Sequence, residues 1–223
     1  MIVSHSFTAY ADYTVSKKYP KSSPEKSLKK HTAKTILSPY YNKKIQFQGK
    51  HVAVNDSLNS KIQSQKISKI DKSDFKKVPI LSGITGYINT NPDEIKTITK
   101  NKVVLYDFWT YSCSNCQATT PYLKSWYDKY ADKGLVIIGI HYPEFQFEKD
   151  INNVKQAVVN NGIKFPVVLD NDGVNWDAFG NNYWPRFYLA DAEGYIRYDH
   201  IGEGAYDETE NTIKSLLQEN NSS

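Results

Sequence analysis

The two cysteines of this 223-residue chain, Cys113 and Cys116, are separated by Ser114 and Asn115. They follow an apolar run at 103–109 that is typical of a buried strand, so the pair is predicted to lie at a strand-to-helix junction. At this spacing a disulfide can close across the first turn of a helix, whose unpaired N–H groups favour a thiolate at Cys113. The pair is therefore predicted to be a redox-active disulfide that needs no further cofactor.

Two other interpretations of the cysteine pair are weaker. Both residues could be small buried hydrophobes, but this spacing at a strand-to-helix junction favours redox chemistry. Thiolates and imidazoles also bind zinc or copper, and His141 and His200 are the candidate partners. Because neither histidine stands at ligand spacing from the cysteines, the sequence predicts no metal site.

The distribution of charge divides the chain near Val78. Residues 1–77 carry 16 lysines against 5 acidic residues, whereas the remainder carries 12 basic and 19 acidic residues. The first part lacks the dense apolar residues that compensate for the loss of chain entropy on folding. We therefore predict a basic, largely irregular N-terminal arm at 1–77 and a folded domain at 78–223.

The basic arm has two interpretations. It is either a solvated linker or an arm that contacts anionic lipid or envelope polymer. Within it, Ala9-Tyr10-Ala11 has the small-x-small form of a signal-peptidase site. Since residues 1–8 lack a basic start and an adequate apolar stretch, residues 1–11 are either the remnant of a clipped signal peptide or a chance match.

The lengths of the apolar runs, the cysteine count and the placement of charged residues exclude several classes of protein. The longest apolar stretch near the middle of the chain, at 135–138, is too short to span a bilayer. Without a third cysteine the chain cannot be a scaffold held together by several disulfides. The folded part is acidic, has no glycine-rich phosphate loop and does not interleave aromatic with basic residues, so no nucleic-acid partner is expected.

The hydrophobic pattern after Val78 predicts alternating strands and helices. Strands are predicted at 79–81, 86–88, 103–109, 135–141, 165–169, 187–190 and 195–200. The first two are predicted to form one hairpin and the last two another. Helices are predicted at 113–130, 152–161 and 208–219, with a helical turn at 176–179. This order indicates an α/β fold with a mixed sheet covered by helices on both faces.

This order of elements resembles the thioredoxin fold, and its motifs resemble the TlpA/DipZ-type extracytoplasmic thioredoxin-like proteins. The segments that carry the resemblance are GITGYIN (83–89), YDFWTYSCSNC (106–116), PYL (121–123), GIHYPEF with FE (139–148), DND (170–172), GN with WP (180–185) and HIGEG (200–204). The resemblance covers residues 79–219. It implies a thioredoxin-like three-layer fold, a location outside the cytoplasm, and thiol–disulfide oxidoreductase activity on proteins.

The resemblance also implies roles for individual residues. Cys113 is expected to attack and Cys116 to resolve the mixed disulfide. Asp107 is expected to be buried, with a raised pKa, and to accept the proton of Cys116; the alternative is a solvent-accessible acid at a strand edge. Pro185 resembles the cis-proline that faces the disulfide and turns the backbone of Trp184 toward a substrate peptide.

Four further side chains are candidates for shaping the site. Trp109 and Tyr111 flank the cysteines, where their rings could shield the sulfurs and offer apolar surface to a partner; for Trp109, core packing is the alternative. Glu148 and Glu144 follow the second buried strand, and either could tune a thiol pKa. The alternative for both is an acid that stabilises a helix N-terminus.

The predicted function is exchange of electrons with protein thiols or disulfides by a monomer, with a membrane-embedded or thioredoxin-type donor upstream. No basic residue lies between the cysteines, which favours a reductant. One alternative is a peroxiredoxin-like peroxidase, because Thr110 and Cys113 form a Thr-x-x-Cys, although Tyr106 stands where that family has a proline. The other is a non-catalytic metallochaperone or envelope-binding module.

Overall fold

The computed structural model describes residues 71–222. Their strands are β1 (Gly86–Ile88), β2 (Val103–Trp109), β3 (Leu135–His141), β4 (Val167–Leu169), β5 (Arg186–Ala190) and β6 (Ile196–Ile201). They form one mixed sheet with the order β1-β4-β3-β2-β5-β6. β2 is parallel to β3 and β3 to β4, whereas β1, β5 and β6 pair antiparallel to their neighbours.

The helices are α1 (Pro92–Thr97), α2 (Ser114–Tyr130), α3 (Ile151–Asn160), α4 (Val174–Ala178) and α5 (Tyr206–Asn221), with 3-10 turns at Ala131–Lys133 and Gln146–Lys149. Polar side chains fix several of their starts. The Asp150 carboxylate accepts the N–H of Asn152 at the start of α3, and Asp170 accepts the N–H of Trp176 in α4. Within residues 71–222, none of these helices has both the length and the apolar character needed to cross a membrane.

The centre of the sheet is the parallel pair of β2 and β3. The seven residues of β2 pair in register with the seven of β3, from Val103 opposite Leu135 to Trp109 opposite His141. Every residue of both strands is buried. Continuous apolar runs are required here because helices cover both faces of a parallel pair. Both strands therefore end at the same edge of the sheet.

Successive side chains of β2 point to opposite faces of the sheet and pack into two separate hydrophobic cores. Leu105 and Trp109 belong to a cluster that includes residues of α2, α3 and α5. Tyr106 and Phe108 face the opposite side, where α1 and the residues around α4 cover the sheet. The predicted three-layer α/β fold with a mixed sheet is thus confirmed, and Asp107 lies on the side of the sheet that α2 covers.

The prediction of a strand at 79–81, paired with β1 in a hairpin, is wrong. β1 pairs instead with β4, with Tyr87 opposite Val168. The backbone just after 79–81 is held by a side chain: Ser82 donates its N–H to Asn175 Oδ1 at 3.0 Å and accepts from Asn175 Nδ2 at 2.8 Å. Helix α1 escaped prediction because it is six residues long and buries only Ile95.

Residues 72–77, which the boundary at Val78 assigns to the basic arm, contact the β5–β6 hairpin. The Lys76 carbonyl accepts the N–H of Ile196 at 2.8 Å, and Lys72 Nζ lies 2.8 Å from Asp191 Oδ2. The same ammonium lies 3.2 Å from Glu219 Oε1 of α5. Residues 1–70 of the predicted arm, with the Ala9-Tyr10-Ala11 triplet, lie outside the described residues.

Replacing the core residue Ile137 by alanine is expected to lower the free energy of unfolding by about 2–5 kcal/mol, because the lost methyl groups leave a cavity that the sheet cannot close. Ile137 is 0% exposed in the centre of β3. Val159→Ala on α3, at a residue that is 72% exposed, is the matched control and should change stability by no more than about 0.5 kcal/mol. Urea denaturation measures both, and equal losses would contradict the assignment of the core.

Candidate active site

The two cysteines lie where β2 passes into α2. Cys113 is the N-cap residue of the helix, and its Sγ accepts the N–H of Cys116 at 3.4 Å. Both residues are free thiols; Cys113 is half-buried, and Cys116 is 2% exposed. Cys113 is therefore the more exposed of the two thiols, and the roles of attacking and resolving cysteine stay predictions.

A tight turn connects the strand to the helix. The Cys113 N–H donates to the Thr110 carbonyl at 3.3 Å, and the Cys113 carbonyl accepts the N–H of Gln117 at 3.0 Å as the first bond of α2. The Gln117 side-chain amide donates to the Tyr111 carbonyl at 2.8 Å. These bonds place Cys113 at the N-terminus of α2, beside the first backbone N–H groups of the helix.

Asp107 is buried beneath the cysteines. It is 2% exposed, and its Oδ1 has no hydrogen-bond partner among residues 71–222. The alternative of a solvent-accessible strand-edge acid is therefore wrong. Burial raises the pKa of Asp107 to about 8. The role of proton acceptor stays a prediction, but such a carboxyl changes its charge close to neutral pH.

The environment of Cys116 disfavours its thiolate. Burial raises the pKa of the Cys116 thiol, and its hydrogen bond with Cys113 and the negative charge of Asp107 raise it further. A hydrogen bond from the Thr110 backbone acts in the opposite direction. A thiol of this kind ionises only when a nearby base takes its proton.

Glu148 is fully buried and joins two segments of the chain. Its Oε1 accepts from the Thr110 hydroxyl at 2.5 Å, the Ser112 hydroxyl at 2.6 Å and the Ser112 N–H at 3.4 Å. Its Oε2 accepts the N–H groups of Glu144 and Phe145 at 2.6 and 2.9 Å. Burial by itself would raise the pKa of Glu148, but these donors outweigh it and hold the pKa below its usual value.

His141 completes the buried polar group at the end of β3. Its Nε2 lies 3.4 Å from the Thr110 hydroxyl, and its ring is stacked on Tyr111 and edge-on to Trp109. Burial lowers the pKa of His141 to about 4, against the opposing charge of Glu148, so the imidazole is neutral at physiological pH. A neutral ring gives Glu148 no cationic partner.

Trp109 and Tyr111 have different surroundings. Trp109 is buried in the core under α2, so it packs and offers no surface to a partner. A β-carbon at Gly139 would lie 3.0 Å from Trp109 Nε1, which explains the glycine in a buried strand. Tyr111 is half-buried and contacts Phe147, which itself stacks on Phe145.

Trp184 and Pro185 lie at the start of β5, and the peptide bond between them is cis, as predicted. Because Arg186 pairs with Phe108, Pro185 reaches the edge of the sheet at which β2 turns toward the cysteines. The Pro185 carbonyl accepts the N–H of Gly202 at 2.8 Å, which ties this loop to the segment after β6.

Sequence analysis missed the connection between Glu148 and the turn. It singled out Thr110 only as part of a peroxidase-like Thr-x-x-Cys, and it left Ser112 without a role. The available signal was the alternation of Thr110 and Ser112 with aromatic residues directly after a buried strand. His141 entered only as a candidate metal ligand. Within residues 71–222, no three histidine, cysteine or acidic side chains are grouped as a metal site would require.

An accessible cysteine at a helix N-cap, a buried second cysteine one turn later and a buried acid below them define a thioredoxin-like dithiol protein. The chain matches the Redoxin family over residues 74–217 and belongs to that family. The resemblance to TlpA/DipZ-type thioredoxin-fold proteins is confirmed by the relatives described next. The described domain is thus classed with the thioredoxin-like oxidoreductases.

Three relatives illustrate this similarity. Protein DipZ of Mycobacterium tuberculosis (strain CDC 1551 / Oshkosh) is 46% identical over 144 residues, which are 63% of this chain and 21% of DipZ. Thiol-disulfide oxidoreductase YkuV of Bacillus subtilis (strain 168) is 28% identical over 142 residues, 64% of this chain and 95% of YkuV. The solution structure of a thioredoxin-like protein in its oxidized form, 28% identical, covers 65% of this chain and 97% of its own, with a TM-score of 0.58. The chain therefore spans about a fifth of the DipZ sequence that it matches.

Replacing Asp107 by asparagine is expected to flatten the pH dependence of stability. Between about pH 4 and 8 the folded protein retains the Asp107 proton that the unfolded chain has lost, so rising pH favours unfolding by up to about 1.4 kcal/mol per pH unit. The asparagine variant lacks this contribution and should gain stability relative to the wild type as the pH rises from 5 to 7.

Urea denaturation of the reduced proteins at pH 5, 6 and 7 measures this difference. Asp172→Asn, at an exposed aspartate, is the matched control and should run parallel to the wild type. If Asp107→Asn also ran parallel to the wild type, Asp107 would not be a buried acid with a raised pKa.

Proposed function

We propose that this domain is a thiol–disulfide oxidoreductase that reduces disulfides in protein substrates through Cys113 and Cys116. The observation that carries the proposal is the arrangement of the two sulfurs: Cys113 Sγ is accessible at the N-cap of α2, and the N–H of the buried Cys116 points to it at 3.4 Å. This arrangement suits an attacking thiolate with a second thiol held behind it.

The proposed reaction has two exchange steps. The Cys113 thiolate attacks one sulfur of a substrate disulfide, forming a mixed disulfide and releasing the other substrate sulfur as a thiolate. Cys116 then loses its proton to Asp107 and attacks Cys113 Sγ, which releases the second substrate thiolate. The substrate gains two electrons, Cys113 and Cys116 lose two electrons as they form a disulfide, and the released thiolates take up protons from Asp107 and from water.

The surroundings of Thr110 favour this reaction over peroxide reduction. A peroxidase of the peroxiredoxin type would need the Thr110 hydroxyl to polarise a peroxide next to Cys113. That hydroxyl is fully buried and donates to Glu148 Oε1 at 2.5 Å. A peroxide molecule would have to displace a strong charge-assisted hydrogen bond in order to use it.

The charges near the cysteines favour a reductant. A redox pair is strongly oxidising when its reduced form is stabilised, chiefly as a thiolate. Here the neighbouring groups are the acids Asp107 and Glu148, and no lysine or arginine in the part of the chain that the structure describes forms an ion pair with either. The negative charge of Asp107 opposes thiolate formation at Cys116, which supports a pair whose disulfide form is favoured and whose reduction potential is low.

The proposed place of action is outside the cytoplasm, with protein thiols or disulfides as substrates and an upstream electron donor. The TlpA/DipZ-like character of the domain supports this. Mass spectrometry of the N-terminus of the natural protein, together with cell fractionation, tests it: a processed N-terminus in an extracytoplasmic fraction agrees with the proposal, and an unprocessed chain confined to the cytosol contradicts it.

Replacing Cys116 by serine is expected to trap mixed disulfides on Cys113, because the second step of the exchange is lost while the first is retained. Incubation with cell extract, or with insulin as a probe, should give adducts that dithiothreitol releases and that peptide mapping assigns to Cys113. Cys113→Ser is the matched control and should give few or no adducts, since Cys116 is 2% exposed.

A parallel assay follows the consumption of hydrogen peroxide by the wild-type protein. Rapid peroxide turnover, together with an absence of protein adducts on the Cys116→Ser variant, would reject the proposed function in favour of a peroxidase.

A further inference from the structure

The Glu148 carboxylate lies between the turn that carries Cys113 and the segment that follows β3. Among residues 71–222, one of its oxygens accepts from Thr110 and Ser112, and the other accepts from the N–H groups of Glu144 and Phe145. Each of these five bonds requires an acceptor at Glu148. The carboxylate is therefore a bridge between two loops, and one of them ends at the residue before Cys113.

We propose that Glu148 is a positioning residue for the redox reaction: by holding the turn at 110–112, it keeps Cys113 Sγ at the N-terminus of α2, where the helix N–H groups stabilise its thiolate. This inference rests on the proposed function, because it assigns to Glu148 a part in the reactivity of the attacking thiol. Glu148 acts through Ser112 and Thr110.

The turn has further restraints besides the Glu148 bonds: the Thr110 side chain is fully buried, and the Tyr111 ring is stacked on His141. Its backbone is tied by the bond from the Cys113 N–H to the Thr110 carbonyl at 3.3 Å and by the bond from Gln117 to the Tyr111 carbonyl. Ser112 is exposed, so packing does not fix its position. The short hydroxyl-to-carboxylate bonds at 2.5 and 2.6 Å are of the charge-assisted type, which is stronger and more directional than a neutral hydrogen bond.

Glu148 makes more hydrogen bonds than the capping of its own 3-10 turn requires. A carboxylate at the third position of the 3-10 turn Gln146–Lys149 needs only the N–H of Phe145 to cap it. The other oxygen of Glu148 reaches the turn before Cys113, 36 residues away at Ser112. Burial of a charged carboxylate is unfavourable unless hydrogen bonds compensate for the lost water. The five donors around Glu148 supply this compensation, which agrees with a carboxylate that holds the two loops in fixed positions.

Glu148→Gln and Glu148→Ala have the same charge, so a difference in Cys113 reactivity between them reports on the hydrogen bonds of residue 148 and not on its charge. Glutamine retains one acceptor oxygen, which can keep the bonds from Thr110 and Ser112 on the turn, but its amide NH2 cannot accept the N–H groups of Glu144 and Phe145. Alanine removes all five bonds, and both variants remove the negative charge. The rate at which iodoacetamide alkylates Cys113 is measured from pH 5 to 10 by peptide mapping, at a temperature at which melting curves show each variant to be folded. Asp172→Asn removes a charge from an exposed side chain to which no role in the site is assigned, and it is the control.

At pH 7 we expect Glu148→Ala to be alkylated about tenfold more slowly than Glu148→Gln, with its half-maximal rate shifted to higher pH, because the turn no longer presents the sulfur to the helix N-terminus. Glu148→Gln should remain within about threefold of the wild type, and the control Asp172→Asn should react at the wild-type rate. Ser112→Ala removes a hydroxyl that donates to Glu148, at an exposed position where a loss of stability is not expected. This variant should also slow the alkylation of Cys113.

Equal rates for the alanine and glutamine variants would overturn the inference, because the bonds from Thr110 and Ser112 would then have no effect on the reactivity of Cys113. A lower melting temperature with unchanged alkylation would also overturn it, since Glu148 would then serve stability alone. If Glu148→Ala does not fold, an unchanged rate in Ser112→Ala overturns the inference. Alkylation requires no disulfide substrate, so these outcomes are independent of the trapping experiment that tests the proposed function.

Discussion

The parallel pairing of β2 with β3 is the constraint on which the site depends. The register that places Trp109 opposite His141 ends both strands at one edge of the sheet. The turn to Cys113 leaves from one strand end, and the segment leading to Glu148 leaves from the other. The strand register thereby places the turn before Cys113 next to the segment that carries Glu148, although the two are far apart in the sequence.

Two buried acids near the cysteines differ in charge because their surroundings differ. Asp107 has an unpartnered oxygen within the described residues, and burial raises its pKa to about 8, so it can carry a proton near neutral pH. Glu148 is buried as well, but five hydrogen bonds lower its pKa and keep it ionised. The first acid is suited to moving a proton to or from Cys116, and the second to holding the backbone in place.

The strands and helices that depend on local hydrophobic pattern could be predicted from the sequence. Continuous apolar runs marked β2 and β3. The burial of Asp107 was implied by the resemblance to the TlpA/DipZ-type proteins. Contacts that join distant residues left no periodic signal. Ser112 is 36 residues from Glu148, and Ser82 is 93 residues from Asn175, whose side chain holds the segment that was predicted to be a strand. Such partners become visible only when the fold brings them together.

The measurement that tests the central claim most directly is the reduction potential of the Cys113–Cys116 pair. The protein is equilibrated in glutathione redox buffers, the free thiols are alkylated, and mass spectrometry gives the fraction of intramolecular disulfide. A single two-electron transition that involves both cysteines, with a potential below about −230 mV, is the predicted result. A potential near about −120 mV, or the absence of a disulfide between Cys113 and Cys116 in every buffer, would contradict it.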